Sequence, residues 1–123
     1  MSDRKLLELA AKAAGINANY IDVDTSNGRV FGFVQSVGIW NPLTDDGDAL
    51  RLAVKLAQMK GGVALMLNSR FNSTGFAQCY TNENVVSPTE YMKDDPYAAT
   101  RRAIVRAAAE IGNGMSSETK NRN

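Results

Sequence analysis

Two segments announce their own ends and restrict the fold more than anything else in the chain. In residues 40–56 (WNPLTDDGDALRLAVKL), Pro42 forbids helix at its predecessor, so a helix must start later, with Asp45 or Asp46 as its cap. Leu50, Ala53, Val54, Leu56 and Ala57 follow at helical spacing, and Leu52 widens the apolar face beyond a thin stripe. In residues 97–112 (YAATRRAIVRAAAEIG), the start is set by Asp94 and Asp95, which place negative charge at the positive end of the helix dipole. Pro96 falls in the first turn, where its missing amide costs nothing. That helix is predicted to run to Ile111 and to stop at Gly112-Asn113-Gly114. A further helix follows Asp3, with Leu6, Leu7, Leu9, Ala10, Ala13 and Ala14 in register and Gly15 as its stop.

Between the helices the period changes to that of strands. Tyr20, Ile21 and Val23, then Ser26-Asn27-Gly28, then Val30, Phe31, Phe33 and Val34 read as a β-hairpin about a tight turn. Residues 36–43 form a connection in which Trp40 is an apolar anchor. After the Gly61-Gly62 break, residues 63–67 are continuously apolar, which predicts a central strand covered on both faces. Residues 68–74 supply a turn, and residues 75–80 return as the antiparallel partner. Residues 81–93 read as irregular, with Val85 and Val86 able to add a short edge strand. The expected fold is α+β, in the order αββαββα, with a mainly antiparallel sheet of about four strands. One domain is expected over 1–112, followed by a disordered polar tail over 113–123.

The composition excludes several functions. Fourteen Lys and Arg against 13 Asp and Glu leave no global field for nucleic acid phosphates or an anionic membrane. No apolar run is long enough to span a bilayer. Cys79 has no second cysteine to pair with, and no residue is a histidine. No nucleotide loop, metal cluster or nucleophile arrangement is written in the sequence, so no catalytic residue, metal or cofactor is expected. The start of the chain leads into an amphipathic run rather than a secretory segment, so a cytoplasmic location is expected.

The blocks 40–56 and 97–112 resemble a group of small proteins of tailed bacteriophages and prophages, the phage ABA sandwich domain. They make up about a quarter of the chain, and nothing in residues 60–93 adds to the resemblance. The resemblance implies a three-layer α/β/α sandwich and a phage or prophage origin, with the host bacterial cytoplasm as the place of action. It brings no activity and no site residues.

The side chains that offer a surface are therefore weighed one by one. Asp45, Asp46 and Asp48 crowd one helix start, where they would either hold a hard cation for a metal-dependent hydrolase or cap the helix. Capping is the expected role. Asp22 and Asp24 precede a hairpin turn whose glycine is displaced from the position a calcium loop requires. Arg101, Arg102 and Arg106 form the one cationic cluster inside a predicted element. They would serve a nucleic acid face or, as expected, a salt-bridged one. Phe31, Phe33, Trp40, Phe76 and Tyr80 would be a stacking platform on an open sheet and are core if the sheet is covered. Cys79 reads as a small buried hydrophobe. The sequence thus favours a non-enzymatic accessory protein that binds a host or phage protein, using residues 81–91, Tyr91 among them, and the loop around Trp40 and Asp45. A homodimer through an exposed strand edge is a further expectation.

Overall fold

A computed structural model describes residues 1–59, 62–68, 75–81, 84–85, 87–92 and 95–122, with backbone alone for 68, 81, 84–85 and 116–122. Its elements follow the order α1 (Asp3–Ala14), β1 (Tyr20–Thr25), β2 (Gly28–Gln35), β3 (Gly38–Trp40), α2 (Asp46–Ala57), β4 (Ala64–Asn68), β5 (Gly75–Thr81), β6 (Asn84–Val85), β7 (Glu90–Met92) and α3 (Pro96–Arg122). The α+β class and the three helices stand, but the single sheet of about four strands does not. The described strands form two separate antiparallel sheets, β1-β2-β3 and a second in which β5 pairs β4 on one edge and both β6 and β7 on the other. The strands the sequence hid are β3 and β7. Each has three residues, too few for alternation to register.

The expected hairpin is present, with Thr25 paired to Gly28 around Ser26-Asn27. The Asn27 amide donates to the Thr25 hydroxyl at 3.2 Å, and that hydroxyl donates to the Gly28 carbonyl at 2.7 Å. The third strand of this sheet depends on Gly32, whose φ is +138° and whose α-carbon lies so close to β3 that an added Cβ would overlap the Trp40 carbonyl and the Ile39 side chain. Glycine alone satisfies both demands.

The helix caps are mostly where the sequence puts them. Ser2, rather than Asp3, caps α1 by accepting the Lys5 amide at 3.1 Å, and Gly15 ends that helix in the left-handed conformation with φ 74°. Asp45 caps α2 through the Asp48 amide at 2.8 Å. Asp95 accepts the Ala98 amide at 3.0 Å in the first turn of α3, while Asp94 lies outside the described residues. The predicted breaker Gly61, the turn beyond residue 68 and Val86 are likewise outside them.

The predicted stop at Gly112 is not a stop. Helix α3 continues through it to Arg122, so the polar segment expected to be a tail is helical backbone as far as that residue. Gly112 is required for another reason. A Cβ there would collide with the backbone of Leu9, lying 2.8 Å from its carbonyl carbon. Ala103, Ala107, Ala108 and Ala109 on α3 and Ala10, Ala11 and Ala13 on α1 are all buried, and such small residues let two helices approach closely. The core is continuous from this seam to Phe33 and Trp40 of the first sheet, Leu52 and Leu56 of α2 and Cys79 of the second. No helix among the described residues is long and apolar enough to cross a membrane.

Candidate functional site

The acidic trio at the start of α2 is taken up by the helix cap and two arginines, Arg51 lying near both Asp45, at 3.8 Å, and Asp48. Asp45 is occupied by the cap. Asp46 takes Arg101 at 2.6 Å. Asp48 is buried, and its carboxylate accepts the Asn41 amide at 2.9 Å and the Arg51 guanidinium at 2.8 Å. Asn41 in turn donates to the Phe31 carbonyl at 2.8 Å, so Asp48 fastens the end of β3 to α2. Among the described residues no three acidic, thiol or imidazole groups converge in a way that would hold a metal ion.

The three arginines are likewise structural ties, each reaching out of α3 to another element. Arg101 donates through Nε to the Leu43 carbonyl at 2.8 Å in addition to its bond with Asp46. Arg102 lies 3.4 Å from Asp3 of α1 and 3.2 Å from Glu90 of β7. Arg106 reaches the other oxygen of Glu90 at 3.4 Å. Every one of these cations therefore faces a carboxylate. Spacing along α3 revealed the shared face, but the partners lie on other elements, from Glu90 on β7 to Asp3 on α1, and could not be read from it.

Trp40 is buried against Phe33, with ring centroids 6.2 Å apart. Cys79 is 2% exposed, and burial pushes its thiol up to about 11, so it stays protonated at neutral pH. Tyr91 is exposed on β7 and lines a hollow with Asp95 and Arg102, whereas Trp40 lines a different one with Asp48 and Leu52. Trp40 is buried, while Asp45 and Tyr91 are exposed.

The predicted central strand is an edge. Among the described residues β4 pairs only with β5, and Leu65, Met66 and Leu67 are all substantially exposed. An uninterrupted apolar run is what a covered strand looks like, and covering requires a neighbour that is not within this chain's described residues. The register places Leu65 opposite Cys79 and Leu67 opposite Ala77, two residues buried beneath α3. The two leucines thus continue the core-facing side of the sheet past the point where the helix ends its cover.

What remains between them and the helices is an apolar groove of about 530 Å³. Its walls include Leu50 of α2, Leu65 and Leu67 of β4, Met92 of β7, and Tyr97 and Ile104 of α3, with Asp46 and Arg101 at its rim. Leu50 is 65% exposed, Leu67 55% and Tyr97 69%. Of the site residues anticipated from sequence, only Asp46 and Arg101 lie here. The signal was present in the broad apolar character of α2, which reads as burial: Leu50 and Leu52 cannot share one face, Leu52 takes the buried one, and Leu50 is left outside.

Compared with protein-family models, with curated proteins and with solved structures, the chain matches none.

Proposed function

We propose that this chain is a non-enzymatic binding protein and that its contact surface is the groove bounded by α2, α3 and β4. The observation that carries the reading is the exposure of Leu50, Leu67 and Tyr97 around one continuous hollow, next to a strand edge made wholly of uncharged residues. Folded chains bury such side chains where they can, and a contiguous exposed group of them marks a place where another molecule sits. The ionisable groups first considered for catalysis or phosphate binding are engaged with one another, which also favours binding over turnover. The resemblance of residues 40–56 and 97–112 to phage ABA sandwich proteins supports an accessory role in an infected or lysogenic bacterium. A layered sandwich of helices and antiparallel sheet goes with that proposal, supported by the packing of α3 against α1, α2 and the second sheet.

The test is photocrosslinking in cells with Tyr97→p-benzoylphenylalanine, using the same probe at Val37, which is exposed and lines no part of the groove, as control. A discrete adduct from position 97 alone is expected. Equal labelling at both positions, or none at either, sinks the reading.

A further inference from the structure

The groove ends at β4, whose outer edge has no strand partner among the described residues, and the chemistry of that strand specifies its occupant. Resting on the reading of the groove as a contact surface, we propose that the occupant is a second copy of this chain, joined by antiparallel pairing of β4 with β4 of the partner about a two-fold axis at Met66.

Three observations lead there. The first is charge. An isologous contact sets each residue near the axis against its own kind, so any charge there meets a like charge. Ala64, Leu65, Met66, Leu67 and Asn68 carry none, and the two charged groups at the groove rim, Asp46 and Arg101, neutralise each other at 2.6 Å. A groove built for an acidic or basic segment would present an unspent charge at its rim. Here it presents a closed pair.

The second is pattern. With Met66 on the axis, antiparallel register sets Leu65 of one copy opposite Leu67 of the other, twice. Both residues lie on the groove side of the strand, so the two grooves merge and the four leucines close over one another. Met66 is 40% exposed on the other face of the sheet and meets its own counterpart. The backbone amides and carbonyls along the outer edge of β4 gain partners in the same step.

The third is area. Leu50, Leu65, Met66, Leu67 and Tyr97 together expose on the order of 500 Å² per protomer. A pair therefore buries about 1,000 Å², which is the lower limit for a specific interface. The dimer is accordingly a weak, concentration-dependent one.

Two variants test this. Sedimentation of the wild-type chain from about 1 to 300 μM should pass from the 13.3 kDa monomer towards twice that mass. Met66→Lys, which sets two ammonium groups against each other on the axis, should raise the dissociation constant at least ~10-fold with an unchanged circular dichroism spectrum. Met66→Cys keeps the size and apolarity of the site and covers the case in which the lysine variant fails to fold. Antiparallel partners have Cα atoms ~4.5–5.5 Å apart, within disulfide reach, so mild oxidation should yield a covalent dimer. Val23→Cys on the charged edge of the first sheet should not. A wild-type chain that stays monomeric at 300 μM overturns the proposal, as does a Met66→Cys chain that forms no more dimer than Val23→Cys. If position 97 nonetheless crosslinks to a different protein, the groove remains a binding site and only its self-association is wrong. No adduct there overturns both.

Discussion

The outer strand of the first sheet, β1, carries Asp22 and Asp24, with Arg29 of β2 folded across to Asp22 at 2.7 Å; the outer strand of the second, β4, carries Leu65, Met66 and Leu67 and no charge. Both are edges among the described residues, and both have backbone groups to offer. Charged side chains on an edge oppose its pairing with another chain, because the incoming strand would have to desolvate them. The β1 edge is thus closed to newcomers and the β4 edge open. The same contrast extends to support. The first sheet is built around Trp40 and Phe33, whereas β4 lies at the margin of the cover that α3 gives to β5 and β7.

The largest effect expected is on the scaffold that both sheets share. Replacing glycine by alanine inside a helix ordinarily stabilises by up to ~1 kcal/mol, but Gly112→Ala drives a methyl group into the Leu9 backbone. The clash should win, with a net loss of about 3 kcal/mol in urea unfolding. Trp40 fluorescence follows the first sheet, and the reactivity of Cys79 towards a thiol reagent follows the second. The two probes should lose protection at one urea concentration, and separate midpoints would mean that the sheets are not one cooperative unit. Next in size is Gly32→Ala, which forces a side chain into a left-handed backbone and into the Trp40 carbonyl. A loss of about 2 kcal/mol is expected by the same measurement.

Exchanging the edges is a smaller perturbation and a sharper one. Asp24→Val removes a charge from β1 and should increase light scattering of concentrated protein. Leu67→Asp adds one to β4 at a position that is 55% exposed and should reduce it, while each changes stability by less than about 1 kcal/mol. Equal behaviour of the two variants would end the distinction between the edges. The smallest effect concerns the charge that guards β1. The hydrogen bonds from Arg29 hold the Asp22 carboxyl below its ordinary value of 3.8. Because the folded-state value is the lower one, the pair stabilises the hairpin above pH 3.8, and that contribution disappears as the pH falls through the depressed value. A carboxyl carbon titration by NMR should place Asp22 below 3.8 and return it to the ordinary value in Arg29→Ala.

How much of this could be read from the residues depended on range. The three helices, the acidic starts at Asp45 and Asp95 and the Ser26-Asn27 hairpin are local signals and are present, but the first cap shifts to Ser2 and the third helix runs past its predicted stop. Gly112 was legible as a glycine but not as a packing glycine, because a helix stop and a close helix crossing ask for the same residue. The run at 63–67 was legible as a strand, yet burial is a property of neighbours, and an apolar strand awaiting a partner has the composition of one already covered. The groove was the least visible. It is assembled from α2, β4, β7 and α3, and no spacing within any one of them records the others.

The long-range packing of α3 also sets the order in which the chain matures. This helix is the last of the described elements to be synthesised, and it is the surface on which α1, α2, β5 and β7 all rest. During translation α1 lacks most of its packing until the arginine-bearing turns of α3 leave the ribosome, about a hundred residues later. Collapse of this protein is therefore a late, nearly all-at-once event, and a nascent chain arrested before Pro96 should be held by chaperones or degraded rather than persist as a half-built domain.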